Sequence, residues 1–337
     1  MKDKRLLASL LAIALATCSL SVASAAAPPE EEIDQLIERA MGAFEIPGMA
    51  VSIVYDGEVY YSKGHGLVEV SKSTRVDDKT LFQIASVSKA FTAAALAILV
   101  DDGKLDWEDP VIDYLPEFRM YDPWVTREFT IRDLLTHRSG LPLGAGDLLM
   151  FPEAESSREE IIRAMRFLKP STSFRSEFAY DNLLYIIAGE VVGSASGMPF
   201  EEFLEERLLF PLGMTDCAAT LGRTAKKATR ATPHVEVDGK LQTTLSLESD
   251  VGAAAGGINC SARSMALWSS FVLSKGENTD GDQIVSAAQV EQLLNPVTVL
   301  PTRGYMAEHA GSFLSAYALG WNVSTFYGQP YYSHGGG

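Results

Sequence analysis

Ser86-Val87-Ser88-Lys89 sets a hydroxyl and an amine three residues apart. On a helix, positions i and i+3 share a face, so the two side chains can meet. A serine hydroxyl is a weak nucleophile at neutral pH and needs a base beside it. A lysine in a dry pocket supplies one, because burial disfavours the ammonium form. Ser88 has no lysine three residues on, and its expected role is packing or polar support. Tyr180-Asp181-Asn182 forms a second set: a phenol that serves as a base only beside a cation, and an amide that offers both donor and acceptor to a substrate. The third set is Ser333-His334-Gly335-Gly336-Gly337, an aromatic run from Tyr331 that enters glycines, where a backbone can come close to a ligand. Each set alone also has an ordinary reading. These are a capping serine with a solvated lysine, the first turn of a helix, and a loose chain end.

The surrounding elements decide between those readings. From Ser86 to Val100 the chain is apolar on nearly every side, which predicts a helix buried in the middle of a domain, with Gly103 closing it. Leu183 to Val192 predicts a second apolar helix, placing Tyr180 and Asn182 at a loop-to-helix junction, with Gly197 beyond its end. Pro199 opens a helix that should run to about Phe210. Ile33, Leu36, Ile37, Ala40, Met41 and Phe44 mark one face of a helix ended by Pro47-Gly48. Two β-rich runs around Asp56-Gly57 predict a hairpin, and Val235 to Leu241 around Asp238-Gly239 predicts a smaller one. Thr130 with Asp133, and Ser157 with Glu160, have the spacing of capping boxes. The order is strands, then helices, then a β-like end. This predicts an α/β (α+β) layered fold whose sheet is interrupted by a helical subdomain at about residues 105–250.

Composition narrows the class. The chain has 337 residues, 47% hydrophobic and 21% charged, as in a globular protein. Its net charge of −16 argues against nucleic acid or anionic lipid as partners. Lys2, Lys4 and Arg5, an apolar run from Leu6 to about Ala16, and Ala23-Ser24-Ala25 predict an export signal over residues 1–25, too short to span a bilayer. Secretion or a periplasmic location is expected, with a lipid anchor at Cys18 as the alternative. Cys217 and Cys260 remain after cleavage. They can pair in an oxidising compartment, but two buried free thiols is the preferred expectation. No Cys/His cluster has metal-ligand spacing, and neither a metal nor an organic cofactor is expected.

Residues 82–92, Phe-Gln-Ile-Ala-Ser-Val-Ser-Lys-Ala-Phe-Thr, resemble the active-site helix of the class C β-lactamase and low-molecular-weight penicillin-binding protein superfamily. Leu134 to Pro142, Pro211 to Thr215 and Ala255 to Ile258 are similar to further segments of that superfamily, in the same order. The resemblance implies a β-lactamase/transpeptidase-like antiparallel sheet flanked by helices. It also implies a covalent acyl-enzyme with Ser86, Lys89 and Tyr180 as catalytic residues and Asn182, His334, Gly335 and Gly336 as substrate-binding residues. The backbone N–H groups of Ser86 and Gly337 would form the oxyanion hole. His137 falls in a structural segment and is expected to be a hydrogen-bonding core residue.

Two departures qualify the expectation. His334 stands where many relatives carry lysine, and a mostly neutral imidazole grips a carboxylate poorly. Weaker binding of β-lactams and D-Ala-D-Ala termini follows, with small esters or short peptides gaining ground. The chain also stops at the glycine-containing strand, whereas relatives continue with two strands and a packing helix, so it resembles a truncated copy. The alternatives to a hydrolase are therefore a penicillin- or peptide-binding sensor that acylates without turnover, or an inactive fragment.

Overall fold

A computed structural model describes residues 27–151, 156–246 and 250–337. The proposed signal segment and Cys18 lie outside the described residues. Two compact units are present, divided between Leu36 and Ile37. Helix α1 (Glu30–Ala43) opens on Glu30, Glu31 and Glu32, acidic groups suited to the positive end of a helix.

Strands β1 (Gly48–Tyr55) and β2 (Glu58–Gly66) form an antiparallel hairpin. Asp56 and Gly57 both have positive φ (51° and 83°), as the tight turn between right-twisted strands requires. β3 (Leu81–Gln83) leads into a single 3-10 turn, Ala85–Val87, and then α2 (Ser88–Asp101). Every residue of α2 from Ser88 to Leu99 is buried. Alanines and leucines, which carry no branch at Cβ, favour the helix, and having no polar face forces it into the core. A Schellman closure ends it: Lys104 N–H donates to Leu99 O at 2.9 Å and Gly103 N–H to Val100 O at 3.0 Å.

Short helices follow: α3 (Val111–Tyr114), α4 (Pro123–Glu128), α5 (Ile131–Leu135) and α6 (Arg158–Ala164). Both capping boxes form, Thr130 with Asp133 on α5 and Ser157 with Glu160 on α6. The second buried helix, α7 (Leu183–Ser196), ends at Gly197 with φ 75°. α8 (Phe200–Leu204) begins after Pro199, one position later than expected, and widens into a π turn over Glu205–Leu209. β4 (His234–Val237) and β5 (Lys240–Thr243) form the smaller hairpin. β6 (Asn259–Ser261) pairs with β3, and α9 (Ala262–Leu273) packs against β1 and β2. α10 (Ala287–Leu294), β7 (Thr298–Val299), α11 (Tyr305–His309), β8 (Ser315–Tyr317), β9 (Asn322–Phe326) and β10 (Gln329–Ser333) complete the chain.

Every ladder is antiparallel, and the largest sheet runs β10-β9-β8-β7. The core centres on α2 and α7, where Phe91 of α2 stacks on Trp268 of α9 at 3.9 Å between ring centroids. Each fully buried Leu, Ile or Phe there contributes roughly 1.5–3 kcal/mol. Among the described residues no single helix is long and apolar enough to cross a membrane. The bent apolar pair Leu183–Ser196 and Phe200–Leu209 is composed mostly of core residues.

Cys217 and Cys260 form a disulfide, which corrects the expectation of two free thiols. Backbone pairing explains it. Ala218 and Asn259 exchange both of their N–H···O bonds at 3.0 Å, so Cys217 and Cys260 face each other as the adjacent non-hydrogen-bonded pair. Such pairs bring Cα atoms closest, here 4.2 Å. That pairing joins segments 43 residues apart, and residue spacing alone does not reveal it.

Candidate active site

The turn before α2 sets the position of Ser86. Ile84 N–H donates to Ile258 O at 2.9 Å, and Gln83 pairs with Asn259, so β6 holds the approach. Ala85 then adopts φ 46°, a costly conformation for a residue with a Cβ, and the chain turns abruptly into α2. Gly336 lies against the same turn. A methyl group there would collide with Ile84 O and stand 3.3 Å from the Ala85 Cβ. The glycine thus permits a close backbone approach, as expected, but to Ile84-Ala85 rather than to open ligand space.

Lys89 is fully buried. Its Nζ donates to Ser86 Oγ at 3.1 Å, to Asn182 Oδ1 at 2.8 Å and to Ala255 O at 2.7 Å. It also stands 4.8 Å from the Tyr180 ring centroid and 5.3 Å from that of Tyr185. Burial pulls its pKa down to about 7, against the opposing pull of the Asp147 and Asp181 carboxylates. Ser86, Lys89, Tyr180 and Asn182 thus meet as the sequence predicted. Ser88 does take the supporting role: its buried Oγ accepts the Ile258 N–H at 3.2 Å.

Tyr180 is held from both sides by His137. The Ala179 N–H donates to His137 O at 2.8 Å, the Asp181 N–H to His137 Nδ1 at 3.1 Å, and the His137 and Tyr180 rings lie 4.1 Å apart. His137 is fully buried among Phe178, Tyr180, Tyr185 and Tyr317, and that burial drives its pKa well below the usual histidine value. It is a neutral core residue, as expected. The Tyr180 hydroxyl is buried with no partner in hydrogen-bond geometry, yet Ser86 is near enough to oppose the rise in its pKa. Burial dominates and pushes the phenol up to about 12.

The His334 ring lies 6.4 Å from that of Tyr180. Its Nε2 pairs with the Tyr317 hydroxyl at 2.8 Å and its Nδ1 with Gly335 O at 2.7 Å. Both ring nitrogens are engaged, and burial lowers its pKa, so the ring is neutral. A cleft of about 190 Å³ opens beside Ser86, lined by Gln83, Met150, Phe151, Asn182, Gly252, the Ala255–Gly257 segment and Gly337. Gly337 reaches the cleft wall, whereas His334, Gly335 and Gly336 stand outside it.

Two acidic groups escaped the sequence reading. Asp181, the middle residue of the tyrosine motif, is fully buried and accepts the Leu183 N–H at 2.9 Å. Burial raises its pKa to about 7. Asp147 accepts from Asn182 Nδ2 at 3.2 and 3.3 Å. The signal that could have found Asp147 is the Gly144-Ala145-Gly146 run before it, which marks a loop pressed against something else.

The chain is 29% identical over 323 residues to Unguisins hydrolase ungD' of Aspergillus campestris, across 92% of this chain and 58% of that protein. It is 28% identical over 186 residues to Protein flp of Staphylococcus aureus, across 55% of this chain and 37% of that protein. The chain thus spans about half or less of the length of the curated relatives it matches. The octameric penicillin-binding protein homologue from Pyrococcus abyssi superposes with a TM-score of 0.78 at 24% identity, over 92% of this chain and 68% of that one. A family model described as Beta-lactamase matches residues 33–337. With Ser86, Lys89, Tyr180 and Asn182 gathered at one site and that match running through nearly the whole described chain, the protein belongs to the Beta-lactamase family.

Proposed function

We propose that the protein is an exported serine hydrolase that cleaves amide or ester carbonyls through a covalent acyl-enzyme on Ser86. The observation that carries this reading is the buried Lys89 amine 3.1 Å from the Ser86 hydroxyl at the mouth of a cleft. With a pKa near 7, Lys89 is substantially a free amine at neutral pH, whereas Tyr180 near 12 stays protonated. Lys89 is therefore the base and Tyr180 the acid. Ser86 Oγ attacks the carbonyl carbon as its proton passes to Lys89. The N–H groups of Ser86 and Gly337 stabilise the oxyanion. As the intermediate collapses, Tyr180 gives its proton to the leaving atom and recovers one from Lys89. Water then attacks the acyl group by the same steps in reverse and frees Ser86.

The cleft wall carries no arginine, lysine or histidine among the described residues, and His334 is neutral. Substrates lacking a carboxylate beside the scissile bond, such as small esters and uncharged peptide amides, fit it better than β-lactams or D-Ala-D-Ala termini. The Cys217–Cys260 bond supports export, since disulfides persist in oxidising compartments.

A hydrolysis panel of p-nitrophenyl acetate, nitrocefin and a D-Ala-D-Ala peptide tests the reading. Turnover of the acetate ester should vanish in Ser86→Ala and persist in Ser88→Ala. Turnover unchanged by Ser86→Ala removes Ser86 from the mechanism. Stable labelling of Ser86 without release of product would instead favour a sensor.

A further inference from the structure

A hydrogen-bonded line runs from the cleft into the loop after α5: Ser86 Oγ, Lys89 Nζ, Asn182 and Asp147. Three contacts fix its far end. Gly144 N–H donates to Tyr180 O at 2.8 Å. Gly146, with φ 77°, sits so close to Leu183 that any side chain there would strike it. The Asp147 carboxylate takes the Asn182 amide. The loop is thereby docked along the whole Tyr180–Leu183 segment. Asp147 does not line the cleft; its hydrogen bonds go to Asn182, and it reaches Lys89 only as a charge.

The chemistry of these groups fixes a direction. A carboxylate accepts and cannot donate, so Asn182 must turn Nδ2 toward Asp147 and Oδ1 toward Lys89. A neutral lysine has two N–H bonds and one lone pair. Ala255 O and Asn182 Oδ1 are both pure acceptors and occupy the two N–H bonds. In this free-amine form the lone pair is left for the third neighbour, so across the 3.1 Å contact the Ser86 hydroxyl becomes the donor and Lys89 the acceptor. Without Asp147 the amide is free to reverse, and Nδ2 would donate to that lone pair in place of Ser86.

We propose that Asp147 is a positioning residue for acyl transfer: by locking the orientation of the Asn182 amide, it aims the free amine of Lys89 at Ser86. The inference rests on the reading of Ser86 as nucleophile and Lys89 as its base. Asp147 also adds a charge. The groups facing Lys89 are Asp147 from the loop after α5, Tyr180 and Asp181 from the segment before α7, Tyr185 from α7, His137 from the turn after α5 and His334 beyond β10. Of these, Asp147 and Asp181 favour the ammonium form. Removing the Asp147 charge therefore lowers the Lys89 pKa.

The experiment compares the full chain with Asp147→Asn and Asp147→Ala, reading kcat and KM for p-nitrophenyl acetate from pH 5 to 9, with thermal melts as a control. Asp147→Ala should lower kcat by about tenfold to a hundredfold with little change in KM, the cost of a misaimed catalytic group. Added formate should restore part of that rate. Asp147→Asn keeps the shape and loses the charge, and the acidic limb of its kcat profile should move to lower pH. A folded Asp147→Asn variant with an unmoved limb, or a folded Asp147→Ala variant with wild-type kcat, overturns the proposal, while the Ser86 reading stands if Ser86→Ala remains inactive. Should Asp147→Ala not fold, the kcat of Asp147→Asn decides, since an amide there can donate as well as accept and no longer fixes the Asn182 orientation: a wild-type kcat in that variant overturns the proposal.

Discussion

The acidic limb of activity should report Lys89. An ordinary lysine, with a pKa of 10.5, is a free amine in about one molecule in three thousand at pH 7. With burial bringing it to about 7, the free-amine share is about a tenth at pH 6, half at pH 7 and nine-tenths at pH 8. For a neutral ester, kcat/KM should rise tenfold per pH unit below about 6 and level off above about 8. Lys89→Arg, a permanent cation, should leave no limb and little activity. Tyr180→Phe should keep the limb and lower the plateau by about a hundredfold or more, because the phenol acts as an acid and does not titrate in this range. Stability should rise with pH as well, over a higher range. The folded pKa of Lys89 lies below its unfolded value, so the unfolded chain binds the proton more tightly. The penalty is fully present below about pH 7 and fades as pH approaches 10.5. At about 1.4 kcal/mol per pH unit, its ceiling is about 5 kcal/mol, and Lys89→Met should melt higher than the wild type at pH 7 and below. A limb near pH 10, a limb abolished by Tyr180→Phe, or a Lys89→Met variant that melts lower at pH 6 would each refute the reasoning.

Two further perturbations probe the supports of the site. Gly336→Ala should push the chain after β10 off Ile84-Ala85 and displace Gly337 from the cleft. The expected result is lost ester hydrolysis with a near-native circular dichroism spectrum. Reducing Cys217–Cys260, or replacing both cysteines by serine, opens a link spanning 43 residues. The chain-entropy estimate is about 4 kcal/mol, read as a lower urea midpoint, and an unchanged midpoint would count against the cross-link.

The chemistry proposed for Ser86 depends on how burial is distributed around a few polar groups. Lys89, Asp181 and His137 are all fully buried behind Ser86, and in each the charged form is disfavoured. Asn182 and Ala255 take the two remaining Lys89 contacts, so the amine is satisfied without a carboxylate touching it. That arrangement keeps the amine available as a base where a direct ion pair would hold it protonated.

Features that depend on neighbours along the chain were legible before folding is considered. Asp56-Gly57 and Asp238-Gly239 specified hairpins because those residues accept positive φ. Capping boxes at Thr130 and Ser157, and closures at Gly103 and Gly197, marked helix ends within one turn. The spacing from Ser86 to Lys89 placed both on one buried helix, and family-like segments brought Tyr180 and Asn182 to the same site. The Tyr327-Gly328 hairpin between β9 and β10 escaped notice because tyrosine seldom takes φ 46°. β3 and β6, three residues each, are too short to show any alternation. Only the tertiary structure decided that Cys217 meets Cys260, that His334 turns to Tyr317, and that Asp147 reaches Asn182. Each of those depends on the distance between segments remote in sequence, and packing of the whole core sets that distance, which no local preference encodes.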